Sequence, residues 1–177
     1  MPKDGGLNTK AKILCELKRS LLLSLWLLMV QTLSAMLIMA AMAVTLVWDL
    51  AAYGGAHLAG PTPLWGWAAG GALICLFWLV MGRFAPRGVR PGRAGTAAVL
   101  TAWAVLTPLT WNAVYLLLLP QKLLGGMLGQ LLRFLGCGAW NDERAALTAC
   151  FLLPAAFGAG LLWGWKRAGA AQARHRK

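Results

Sequence analysis

A chain of 177 residues that is 59% hydrophobic and only 12% charged has its apolar sequence gathered in a few long blocks, which excludes an ordinary soluble domain. Its net charge of +12 would suit a nucleic-acid binder, yet fourteen of the 17 Lys and Arg residues sit in three clusters at the ends of apolar blocks. That is the charge pattern of membrane topology, so membrane lipids rather than nucleic acid are the expected partner.

The first apolar block, residues 21–48, carries no charge and exceeds the roughly 20 residues needed to cross a hydrocarbon core of about 30 Å. It should cross with tilt, or with its last turn among headgroups. Lys3, Lys10, Lys12, Lys18 and Arg19 precede it in a basic segment, residues 1–20. Ala41-Met42-Ala43 imitates a signal-peptidase site, but the apolar run ahead of it is longer than the 7–15 residues usual for a cleaved signal, so an uncleaved anchor is expected. Gln31, Ser34, Thr45 and Asp49 fall on one face at 100° per residue, together with Ser20 and Ser24. Polar side chains facing lipid would lack partners, so this stripe should look into a helical bundle.

The second block, residues 64–82, is bounded by a first connection without Lys or Arg and by Arg83, Arg87, Arg90 and Arg93. Gly66 and Gly70, four apart, make a groove for close helix approach. The third block, residues 95–119, places Thr101, Pro108, Asn112 and Tyr115 on a face otherwise filled by Ala97 and Ala104. Pro108 lacks an N–H, which frees the Ala104 carbonyl and predicts a kink, with Thr101, Thr107 or water as the substitute donor. A polar path or small-molecule pocket between the first and third helices is one reading of these faces; interhelical hydrogen bonding alone is the plainer one.

Pro120 opens a connection whose Leu123, Leu124, Met127, Leu128, Leu131, Leu132 and Leu135 recur at helical spacing. At about 15 residues it is too short to span, so an interfacial helix on the outer leaflet or a lid over the bundle mouth is expected; Gly125, Gly126 and Gly129 leave a broken or re-entrant form open. The fourth block, residues 145–165, carries Ala156, Gly160 and Gly164, again four apart, and ends in a basic tail, residues 166–177. Of the ten Trp residues, Trp48, Trp65, Trp67, Trp140, Trp163 and Trp165 fall near helix ends, where interfacial anchoring explains them.

The expected fold is therefore all-α: a single domain over residues 1–177 with four transmembrane helices, an outer interfacial helix between the third and fourth, and both termini on the cytoplasmic side of a plasma membrane. Chemistry is sparse. The two histidines, His57 and His175, lie outside the helices, no HExxH or CxxC spacing occurs, and no acidic residue lies mid-helix, so neither a metal nor another cofactor is expected. Cys15, Cys75, Cys137 and Cys150 lack redox spacing, although Cys137 and Cys150 are placed where a disulfide is conceivable. A proton-coupled exporter needs a membrane-embedded carboxylate, and only Asp49 approaches that role. The expectation is a non-enzymatic subunit or accessory factor of a bacterial membrane complex, partnered by other subunits or by copies of itself. A small-molecule transporter component is the first alternative. A membrane enzyme acting through Asp49 and His57 on a lipid-like substrate is the second.

Overall fold

The computed structural model of the protein describes residues 5–54, 64–109, 118–135 and 142–174, and among these every regular element is helical. Five α-helices follow in order: α1, Gly5–Tyr53; α2, Leu64–Phe84; α3, Arg93–Leu109; α4, Leu119–Phe134; and α5, Asp142–Arg174. Two of them, α1 over Lys10–Ala52 and α5 over Arg144–Trp165, are long and apolar enough to cross a membrane.

The 49 residues of α1 run unbroken because Leu, Ala and Met dominate and neither Gly nor Pro occurs between Leu7 and Tyr53. Termination comes at Gly54, whose φ of +61° lies in the left-handed region and whose N–H donates to the Leu50 carbonyl at 3.2 Å. The basic N-terminal segment is thus helical from Gly5 onward rather than a separate element. At 1.5 Å per residue α1 is about 73 Å long, more than twice the thickness of a hydrocarbon core.

Ala85 and Pro86 end α2, and the side chain of Arg90 folds back over that end. Its Nη2 donates to the carbonyls of Arg83 at 2.9 Å and Ala85 at 2.6 Å, while Nε donates to Ala85 at 2.9 Å. A cation therefore satisfies carbonyls that the helix leaves open and sits at the negative end of its dipole. The start of α3 is held from α1: the Gly92 N–H donates to the Glu16 carboxylate at 2.8 Å.

Helices α2 and α5 make the closest interface. A Cβ added at Gly82 would collide with the Phe157 carbonyl, and one added at Gly160 with the Leu79 carbonyl, so the two backbones meet wherever one of them lacks a side chain. Trp78 and Phe157, both fully buried, meet edge to face there with ring centroids 6.4 Å apart. Leu23, Leu27 and Val30 of α1, Ile74 of α2, Leu124 of α4 and Leu153 and Leu161 of α5 complete the core.

The connection after Pro120 is one continuous helix, as its leucine spacing predicts and not the broken form, and α4 packs on α2 and α5 with Pro120, Gln121, Leu124, Gly125 and Gly129 buried. Its glycines are the reason. A Cβ at Gly125 would stand 2.6 Å from Ala146 Cα of α5, an approach that no larger residue permits. The inward face of α3 differs in part from the expected one: Ala104 is buried as expected, together with Thr96 and Thr107, whereas Ala97 and Thr101 are exposed.

Candidate functional site

The most distinctive polar feature of the bundle joins α1 to α4. Gln31 Nε2 donates to Gln121 Oε1 at 2.7 Å, and Gln121 Nε2 donates back to Gln31 Oε1 at 2.8 Å, closing a reciprocal amide pair. Gln31 is 3% exposed and Gln121 0%, between the apolar side chains of Leu27, Val30 and Leu124. Each amide would lose its water on burial, and each meets that requirement through the other. Interhelical bonds of this kind contribute roughly 0.6–2 kcal/mol. Removing either partner takes from a buried amide the contact that joins α1 to α4.

Above this pair, toward the Gly54 end, α1 separates from the bundle. From Met39 to Trp48 every residue of α1 is exposed, and a cleft of about 650 Å³ opens between α1, α2 and α4. Ser34, Leu37, Ile38, Ala41, Met42 and Thr45 form one wall, Gly70, Leu73, Ile74 and Phe77 the other, and Leu123 closes the side toward α4. The two wall hydroxyls turn back on their own helix, Ser34 Oγ donating to the Gln31 carbonyl and Thr45 Oγ1 to the Met42 carbonyl, both at 2.9 Å. The lining is consequently apolar in character. One turn beyond Thr45, Asp49 is partly buried, and its Oδ2 is shielded from solvent with no hydrogen-bond partner.

The polar stripe of α1 thus divides. Gln31 and Ser34 are buried, Thr45 is exposed on the cleft wall, and Asp49 stands half-buried at its upper end. On α3, Thr101 is exposed and Pro108 half-buried, while Asn112 and Tyr115 lie outside the described residues. The hydroxyl of Thr107 donates to the Trp103 carbonyl at 2.6 Å. The buried polar contact of α1 is therefore made with α4, and the cleft opens toward α2; neither lies between α1 and α3.

Among the small residues, Gly160 is in tight contact with α2, Gly164 stands close to the Arg83 carbonyl and the Arg90 guanidinium, and Ala156 is half-buried. Gly70 meets only Leu123, at 3.8 Å from an added Cβ, and the surroundings of Gly66 lie outside the described residues. Gly82, Gly71 and Gly125 make close approaches that pairwise spacing on a single helix did not single out. Gln121 was missed for a similar reason. It continues the stripe of Leu124 and Leu128 backward by three residues, a polar group at a core position, but it stands beside Pro120 and Lys122, where a polar side chain reads equally well as solvated.

Elsewhere, Arg83 lies 4.4 Å above the Trp163 ring, a cation–π contact at the end of α2. Cys15, Cys75 and Cys150 are free thiols, while Cys137 and His57 lie outside the described residues. Among the described residues no group of three or more His, Cys, Asp or Glu comes together in a way that could hold a metal ion. No family model matches the chain, and no curated protein or solved structure matches it either.

Proposed function

We propose that this chain is a polytopic protein of a bacterial plasma membrane, with α1, α2, α3 and α5 as spans, and that it serves as a non-enzymatic subunit of a membrane complex. The observation that carries the reading is the contrast along α1. Between Ser20 and Ile38 its inward face is packed and its buried amide holds α4, whereas above it Met39, Met42, Val44, Leu46, Val47, Trp48 and Leu50 are all exposed. A helix packed through its middle, from Ser20 to Ile38, and bare above it suits a chain whose upper α1 is completed by a neighbouring subunit.

The partition of basic residues orients the protein, with both termini cytoplasmic. Single cysteines introduced at Gly55 and Asn141 should react with an impermeant reagent added to intact cells, and cysteines at Gly88 and Gly169 should not. Labelling at Gly88 would overturn the orientation. A photo-crosslinking residue at Val44 should then give a discrete protein adduct that the same residue at Leu106 of α3, also exposed, does not give. Identical adducts from both positions would remove the subunit reading. The cleft favours a second reading, a small-molecule carrier component, with its site between α1 and α2.

A further inference from the structure

We infer that the junction of α1 with the start of α3 is a binding site for an anionic phospholipid headgroup, its phosphate gathered by Lys12 and Arg19 of α1 and Arg93 of α3 around the carboxylate of Glu16. The inference rests on the membrane placement proposed above and names the lipid chemistry that the cytoplasmic face selects.

Charge is the first argument. Lys12, Glu16 and Arg19 follow one another at steps of four and three, so they share one face of α1. Glu16 ties that face to α3: its Oε2 accepts the Gly92 N–H at 2.8 Å, and its Oε1 stands 3.6 Å from Arg19 Nη1. Arg93, the residue after Gly92, opens α3 at the same place. Three cations thus attend one carboxylate, an excess of two positive charges, and that carboxylate is already shared between a guanidinium and a backbone N–H. Lys12, Arg19 and Arg93 are all exposed, so an anion reaches them without rearrangement of the bundle.

Position is the second argument. Ser20 faces Gly95, an added Cβ on the glycine standing 3.4 Å from Ser20 Oγ, so the apolar blocks that begin at residues 21 and 95 start at one level. Glu16 and Arg19 lie within about 6 Å of that level along α1, about the depth of one headgroup layer. A phosphate at this depth meets guanidinium forks that match its oxygens, and the anionic lipids of a cytoplasmic leaflet supply it. Along the same stretch of α1, Leu14, Leu17 and Leu21 are exposed, an apolar flank that suits acyl chains rather than water. A second copy of α1 docked on the basic face would oppose like charges, which disfavours self-association there.

The test uses the full chain in phosphatidylcholine bilayers carrying a trace of spin-labelled phosphatidylglycerol or of spin-labelled phosphatidylcholine, and reads the motionally restricted fraction of each label by electron paramagnetic resonance. The wild type should favour phosphatidylglycerol by roughly threefold or more, the scale expected of a few cations at a membrane surface. Lys12→Gln/Arg19→Gln/Arg93→Gln should bring the two labels to equality, whereas Arg174→Gln/Arg176→Gln/Lys177→Gln, which removes as many charges from the basic tail, should retain the preference. Glu16→Gln keeps an acceptor for the Gly92 N–H and removes the competing charge, so it should raise the preference; as a single conservative change it also tests the site should the triple variant fail to fold. Inorganic phosphate should displace the lipid no better than chloride at matched ionic strength. Equal restriction of both labels in the wild type, a preference that survives the triple change at the junction or is lost in the tail variant, a preference not raised by Glu16→Gln, or displacement specific to inorganic phosphate would each overturn the site. A chain that is not inserted restricts neither label, so failure of the membrane placement reads differently from failure of the site.

Discussion

The two ends of the bundle are built from similar residues and packed in opposite ways. At the Arg83 end, α2 and α5 approach until Gly82 touches the Phe157 carbonyl and Gly160 the Leu79 carbonyl, and Arg90 covers the last carbonyls of α2. Toward the Gly54 end, α2, α4 and α5 remain together through Gly71 and Gly125, but α1 departs and leaves a cleft. Apolar composition does not distinguish the ends, because α1 is as rich in Leu, Met and Ala above Ile38 as below it. The difference lies in what faces it. Where a glycine removes a side chain, backbones close; where the amide of Gln31 finds Gln121, α1 is pinned; beyond that point no contact of either kind draws it in among the described residues. In a membrane, specific contacts rather than apolarity decide which helices touch.

The largest effect should come from Gly160→Leu. A side chain there meets backbone rather than a movable side chain, so the cost should reach or exceed the roughly 1–3 kcal/mol of ordinary overpacking, and the yield of folded, monodisperse protein should fall severalfold. Ala159→Leu, at an exposed neighbouring position, should leave the yield unchanged. Equal yields would show that the α2–α5 contact does not organise that end.

Next in size is Gln121→Leu, which removes the α4 partner of the buried Gln31 amide and should lower stability by about 0.6–2 kcal/mol in denaturant unfolding from mild detergent. The Gln31→Leu/Gln121→Leu double variant should recover much of that loss, since both buried amides are then gone. Additive losses would mean that the pair does not act as a unit.

Smaller still is Glu16→Ala, which removes the acceptor of the Gly92 N–H at the start of α3. Because this carboxylate is half exposed, the expected loss is under about 1 kcal/mol and should shrink further in high salt. The smallest effect belongs to Met42→Ala on the open part of α1, expected within about 0.5 kcal/mol. A loss there as large as that of Gln121→Leu would show that the upper half of α1 is held as firmly as the lower.

What was legible in the sequence follows the same division. The apolar blocks mark α1, α2 and α5 because uncharged runs of that length have few other uses, and a polar residue such as Gln31 amid leucines points to a buried face. How closely α4 packs was not legible. Its 16 residues fall short of a span, which leaves an interfacial helix, a lid or a re-entrant form equally open; the contact of Gly125 with Ala146, a fact of tertiary structure, shows how near it comes to α5. Thr101 misled for another reason: a threonine can bond a carbonyl of its own helix, as Thr107 does, so a hydroxyl is a weaker sign of an inward face than an amide. Gly82 escaped because its counterpart is a backbone on a different helix, which no spacing within α2 records.

The length of α1 has a mechanical consequence. Gln31 stands near the midpoint of Gly5–Tyr53, with about 39 Å of helix on one side and about 33 Å on the other. The helix is packed from Ser20 to Ile38 and tied to the start of α3 through Glu16, so its unsupported arm is the stretch from Met39 to Tyr53, about 22 Å of helix. A stiff arm anchored at one end moves as a unit, and a tilt of about 5° there carries its tip roughly 2 Å and shifts Ala41 and Thr45 of the cleft wall together.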